Sequence, residues 1–275
     1  MRLLFLGDIV GRAGRDAVIE SVPRLRQELD LDFVVANAEN AAAGFGLTPK
    51  ICDALFECGV DVITGGNHSW DQREIIPYIS QESRLLRPAN YPAGTPGKGN
   101  GLFPARNGRK VQVLSVMTRL FMDPLDCPFA AAGRLLPKGG PRGGGANAVL
   151  LDVHGEATSE KNAMGHFADG RASLVVGSHT HAPTADAQIL PGGTAYQTDA
   201  GMCGDYDSVI GMKKGEAVDR FVRKLRGDRL EPADGEATVC GVFVETDDDT
   251  GLATHVAPLR QGGRLKPEWP VREPS

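Results

Sequence analysis

The chain has 275 residues, of which 41% are hydrophobic, and a formal net charge of −5. That length and content support one large α/β domain with insertions, while the negative balance argues against a long nucleic acid or an anionic membrane as partner. No apolar stretch approaches the roughly 20 residues of a membrane span, and the run after Met1-Arg2 is too short for a signal-peptide core. Cys52, Cys58, Cys127, Cys203 and Cys240 are odd in number and form no C-x-x-C pair. A reduced, cytoplasmic protein with structural thiols is the expectation.

In chain order, apolar runs end repeatedly in polar clusters. Leu3 to Leu6 leads into Gly7-Asp8, and Phe33 to Ala36 into Asn37-Ala38-Glu39-Asn40. Val60 to Ile63 leads into Gly65-Gly66-Asn67-His68, Ala148 to Val153 into His154, and Val175-Val176 into Gly177-Ser178-His179-Thr180-His181. Such runs, flanked by glycine, read as buried strands. Between them, Arg15 to Asp30 has helical spacing, with Pro23 expected to interrupt or restart it. Thr48-Pro49 reads as an N-cap followed by proline at the first helical position, with Gly59 closing that helix.

Val111 to Val116 is a further strand, Thr118 to Leu136 an irregular insertion, and Gly139 to Gly145 a connector. The connector precedes a strand and so is not a phosphate loop, which would open a helix. Ala157 to Phe167 is expected to be a helix. Gln188 to Leu190, Thr194 to Thr198, Ala237 to Glu245 and Ala253 to Pro258 read as late hairpin strands. Val218, Phe221, Val222 and Leu225 form one helical apolar stripe among arginines. It is read either as the packed face of an amphipathic helix or as part of a basic cap beside the site. Pro267, Pro270 and Pro274 mark an extended tail.

His179 and His181 are the most informative pair. In an extended or gently turning segment, residues i and i+2 share one side, so both imidazoles can face one point, where neutral imidazole suits a divalent transition metal. Alone, the pair reads equally well as two surface histidines. Five strand ends that together offer Asp, Glu-Asn, Asn-His, His and His-x-His are far more specific, since ligands of open α/β sheets sit beyond the carboxyl ends of strands.

This constellation resembles the calcineurin-like metallophosphoesterases. Val10 stands where that superfamily usually has a histidine, and Asn37-Ala38-Glu39-Asn40 stands where it usually has Gly-Asp. These departures resemble the YmdB-like bacterial phosphodiesterases, as do Gly7-Asp8-Ile9-Val10-Gly11, Asp152 to Lys161, Asp199-Ala200-Gly201-Met202 and Asp207 to Gly211.

The resemblance implies a four-layer α/β sandwich of two mixed sheets flanked by helices, formed by residues 1–275, with the late hairpin strands in the second sheet and a small cap or insertion over 201–235. It implies two metal ions, one held by Asp8, Glu39, Asn40 and His181 and the other by Glu39, Asn67, His154 and His179, with Glu39 bridging. Asn40 would fill the place left by Val10, or else cap a helix or bond a loop. Nitrogen and oxygen ligands without thiolate suit iron or manganese, with zinc or magnesium as alternatives.

The implied activity is hydrolysis of small phosphodiesters, notably 2′,3′-cyclic nucleotides, by a metal-activated hydroxide. His68 would protonate the leaving oxygen, or, on a plainer reading, only position phosphate. A phosphomonoesterase with the same metals and a non-catalytic nucleotide sensor are the rival readings. His166 and His255 are read as structural or surface residues. Residues 201–235 are expected to shape the pocket, with a subunit contact in a homo-oligomer as the other role.

Overall fold

The computed structural model describes residues 1–224 and 227–270, apart from the side chain of Asn107. In chain order its strands and helices are β1 (Arg2–Leu6), β2 (Asp8–Ile9), α1 (Gly11–Glu28), β3 (Phe33–Asn37), α2 (Pro49–Glu57), β4 (Val62–Thr64), α3 (Ile75–Ile79), β5 (Leu85–Leu86), β6 (Asn100–Pro104) and β7 (Lys110–Met117). They continue with α4 (Pro128–Leu135), β8 (Ala148–His154), α5 (Thr158–Ala168), β9 (Leu174–Ser178), β10 (Gln188–Ile189), β11 (Ala195–Gln197), β12 (Met202–Asp205), α6 (Lys214–Arg223), β13 (Ala237–Thr246) and β14 (Ala253–Gln261).

One sheet runs β2-β12-β13-β1-β3-β4-β5, with β14 on β13, and the other runs β10-β11-β9-β8-β7-β6. Both are mixed: β1 is parallel to β3 but antiparallel to β13, and β8 is parallel to β7 and β9 while β6 is antiparallel to β7. Strand alternation sorts the side chains into layers. From β1, Leu3 and Phe5 point between the sheets, where they join Phe33, Val35, Val113, Leu150 and Val176. Leu4 and Leu6 point the other way, into a core with Val18, Val22 and Leu25 of α1 and Leu55 of α2. Behind the second sheet, Leu151 and Val153 pack with Ala131 and Ala132 of α4 and Met164 of α5. The result is the expected four-layer sandwich.

Several local expectations change. Helix α1 runs unbroken through Pro23. The insertion at Thr118 to Leu136 contains α4. Of the late strands only β10 and β11 join the second sheet; β13 and β14 belong to the first, because β13 pairs with β1 from Arg2↔Glu245 to Leu6↔Gly241. The expected insertion at 201–235 likewise begins inside the first sheet, as β12. The Thr48 cap is as expected: its Oγ accepts from the Ile51 amide at 3.3 Å. The apolar stripe does not pack on the body. Val218, Phe221 and Val222 are 46%, 70% and 73% exposed, and Ala217 is the buried residue of α6. Leu225 and Pro274 lie outside the described residues.

Candidate metal centre

The carboxyl ends of the two sheets meet at one cleft. Asp8 on β2, Glu39 and Asn40 after β3, and Asn67 and His68 after β4 come from the first sheet. His154 at the end of β8, and His179 and His181 after β9, come from the second. Gly66 permits this approach, since a Cβ there would overlap the His154 ring.

The set expected around one metal converges on a single point. Around Nε2 of His154 lie Glu39 Oε1 at 3.0 Å, Asn67 Oδ1 at 3.0 Å and His179 Nδ1 at 3.2 Å. Glu39, His154 and His179 can offer ligand atoms within 4.8 Å of one another. Four lone-pair atoms crowd there, with too few protons to satisfy them, which is the donor pattern a cation resolves.

The other expected set is looser. His181 Nε2 is 3.9 Å from Asp8 Oδ1. Asn40 donates to the Gly44 carbonyl at 2.9 Å, which orders the loop, but its buried Oδ1 has no hydrogen-bond partner. An orphaned buried amide oxygen is costly, and one on a residue that lines this cleft fits a cation ligand. Both roles weighed for Asn40 are thus compatible.

The outer ring nitrogens are engaged, which leaves the inner ones free. His181 Nδ1 donates to the Ile210 carbonyl at 2.7 Å, and His179 Nε2 lies 3.3 Å from Glu156. His154 Nδ1 donates to Ser178 Oγ at 2.9 Å, and Ser178 donates in turn to Asp152 at 2.6 Å. Thr64 and Asn37 also donate to Asp152, at 2.5 and 3.3 Å. Such supporting bonds fix ring orientation in metal sites.

The role of Asp152 was legible in principle, since it lies two residues before His154 on the same strand face. The partnership of Lys161 with Asp199 was not, because it joins signatures 38 residues apart. Lys161 Nζ donates to Asp199 at 2.7 Å, and the same carboxylate accepts from Thr180 N at 3.1 Å and Thr180 Oγ at 2.8 Å. The helix after His154 therefore steadies the His-x-His turn.

That turn is not extended. His179 and His181 have φ of 98° and 66°, a left-handed conformation costing roughly 1–3 kcal/mol per residue. Asp8 accepting from the His179 amide at 3.0 Å and Tyr206 donating to the His181 carbonyl at 3.0 Å hold it in place.

Electrostatics mark the same atoms. Burial pushes the Asp8 carboxyl up to about 6, against the pull of His181 and His154. Burial acts on Glu39 in the same sense, but the His154 ring outweighs it and holds Glu39 at about 2. Burial lowers His154, yet Glu39 and then Asp8 raise it to about 9. Burial and repulsion from His154 lower His179 to about 3. A proton between Glu39 and His154 and a cation compete for the same atoms.

His68 stands beside the cluster. Its amide donates to Glu39 at 2.9 Å, and its Nδ1 lies 2.8 Å from Asp71, three residues on. The other ring nitrogen is left for the cavity. That cavity, of about 380 Å³, has Glu39, Asn40, His68, His179 and His181 on one side. Across it stand Phe45, Ile210, Met212, Ala217, Arg220 and Phe221. Arg223 does not line it; that side chain is exposed and lies 3.7 Å from Asp219.

Residues 4–259 match the YmdB-like protein family. The chain is 47% identical over 256 residues to a 2′,3′-cyclic-nucleotide 2′-phosphodiesterase of Bacillus subtilis, covering 93% of this chain and 95% of that protein. A Thermus thermophilus protein of solved structure superposes with a TM-score of 0.88 at 42% identity, covering 96% of this chain and 100% of that one. A phosphatase structure from Mycoplasma pneumoniae gives 0.87 at 32% identity, covering 95% and 93%. The fold, the strand-end residues and these relatives together make the chain a member of the YmdB-like family.

Proposed function

We propose that the chain is a metal-dependent phosphodiesterase acting on small phosphodiesters, with 2′,3′-cyclic nucleotides as substrates. The observation that carries this reading is the crowding of Glu39, Asn67 and His179 around His154 Nε2, with the orphaned Asn40 Oδ1 and His68 beside it. The activity of the Bacillus subtilis relative, a 2′,3′-cyclic-nucleotide 2′-phosphodiesterase, supports the substrate class.

Glu39, with one oxygen toward His154 and the other accepting from the His68 amide, would be the ligand shared by two cations. Asp8, Asn40 and His181 complete one site, and Asn67, His154 and His179 the other. Two bound cations would supply an activated water and a clamp on the phosphoryl oxygens. The nitrogen and oxygen donors suit iron or manganese. Asp71 fixes the His68 ring through Nδ1, so that Nε2 delivers a proton to the departing oxygen. The largely apolar far wall of the cavity suits a phosphate ester that carries a nucleoside. In the described residues no helix is long and apolar enough to cross a membrane and the cysteines are unpaired, which supports action in the cytoplasm.

The test is His68→Ala. With metal content kept, turnover of a 2′,3′-cyclic nucleotide is expected to fall about 10²–10⁴-fold, the usual worth of acid–base catalysis. An activated nitrophenyl ester, which needs no proton, is expected to lose far less. Equal losses on both would make His68 a positioning residue, and preferential turnover of nucleoside monophosphates would favour the monoesterase reading.

A further inference from the structure

The metal-facing residues occupy one side of the cavity, and phosphate alone does not explain the other. The loop after Asn40 carries Phe45 between Gly44 and Gly46, whose φ values of 86° and 83° are left-handed. A Cβ on Gly46 would crowd Gln72 at 2.8 Å, and one on Gly44 would crowd Met212 at 2.9 Å. The Phe45 carbonyl accepts from Gln72 at 2.7 Å, and its amide donates to Ala42 at 3.0 Å. The ring is therefore presented by a fixed backbone, and it meets the His68 ring edge-to-face at 5.2 Å.

On its outer side the Arg229 guanidinium carbon lies 5.7 Å from the Phe45 centroid. Arg229 makes no ion pair among the described residues. A second, more open cavity of about 380 Å³, lined by Phe45, Asp71, Arg220, Arg229 and Leu230, adjoins the first along Phe45, Arg220 and Leu230.

We infer that Phe45, backed by Arg229, is the specificity-determining subsite for the base of a nucleotide whose phosphate faces Glu39 and His68. Aromatic rings and guanidinium planes are the surfaces on which single bases stack. This placement puts the base on the side of the phosphate where His68 delivers its proton. The inference deepens the phosphodiesterase reading and rests on it for the position of the phosphate.

The test compares two ligands of the manganese-loaded protein by titration calorimetry, adenosine 3′-monophosphate and the baseless glycerol 2-phosphate. Phe45→Ala is expected to weaken the nucleotide by about 5–150-fold, the usual range for losing one stacking partner, and to narrow the preference over glycerol 2-phosphate accordingly. Phe45→Trp should keep the preference, and Arg229→Gln, on the surface, should lower it in the folded protein even if Phe45→Ala misfolds. Equal weakening of both ligands by Phe45→Ala and Phe45→Leu, or no change in the preference for either Phe45→Leu or Arg229→Gln, would overturn the subsite. A wild-type protein that prefers the nucleotide through Phe45 yet releases no product from any cyclic phosphate would refute the hydrolytic reading and leave the subsite standing.

Discussion

The two walls of the cavity are built by opposite means. On the metal side the strongest braces are buried: His154 is held through Ser178 and Asp152, and the His179–His181 turn through Asp199 and Lys161. On the facing side, α6 buries Ala217 and leaves Val218, Phe221 and Val222 open to solvent. The first wall fixes atoms to within a hydrogen bond, as chemistry at phosphorus requires. The second offers surface and charge, which suit recognition. Changes on the braced side are therefore expected to alter metal content, stability and turnover, and changes on the open side chiefly affinity.

The largest effect tests the braced side at its centre. Glu39→Ala should remove most bound metal and all activity while leaving the fold intact, as read by metal analysis and circular dichroism. Full metal content in that variant would end the bridging role. Next comes the brace behind the turn. Lys161→Met keeps the volume but strands the Asp199 carboxylate, both groups being almost wholly buried. A loss of about 3–5 kcal/mol is expected in denaturant unfolding, as for one partner removed from a buried pair. A stability change under 1 kcal/mol would mean that water, not Lys161, satisfies Asp199.

The smaller effects sharpen the contrast. In metal-free protein the His154 ring, raised to about 9 by Glu39, must lose its proton before it can bind a cation. Metal affinity should rise with pH by about tenfold per unit up to that value, then level off. The same shift has a stability consequence of fixed sign. With its folded value above the ordinary 6.5, His154 stabilises the metal-free fold fully below that pH, and the contribution disappears as pH climbs through about 9. A flat affinity profile between 6.5 and 9 would mean that no proton is exchanged. Least affected should be Arg220→Ala. Arg220 lines the cavity, yet is held by Glu216 at 3.2 Å and by the Asp228 carbonyl. Its loss should raise KM by less than about tenfold with kcat nearly unchanged, as expected when ground-state and transition-state binding are weakened alike. A fall in kcat instead would place the open wall in the chemistry.

This contrast also explains what could be read from the chain. Strand ends declare themselves locally, because an apolar run followed by Gly-Asn-His or Gly-x-His-x-His is contiguous in sequence. The bracing residues do not, since Asp152 meets Thr64 and Lys161 meets Asp199 only after the sheets have stacked. The stripe at Val218, Phe221 and Val222 had helical period and formed a helix, but period alone does not say which face is covered. Pro23 was expected to break a helix that tertiary packing of Val18, Val22 and Leu25 carries through. The strands β13 and β14 went to the first sheet through a pairing with β1 that carries no local signature.

That pairing has a consequence for the life of the protein at the ribosome. Asp8 lies on β2, which is held by β12, and β1 beside it is zipped to β13. While the first two hundred residues emerge, every imidazole and carboxylate of the cleft is already made, but the strands that seat Asp8 are not. The cleft is thus closed around Asp8 only by strands made after residue 200, so its two halves cannot be assembled in the order of synthesis. A chain truncated before β12 would hold every candidate ligand of the cleft and still lack the strand that pairs with Asp8.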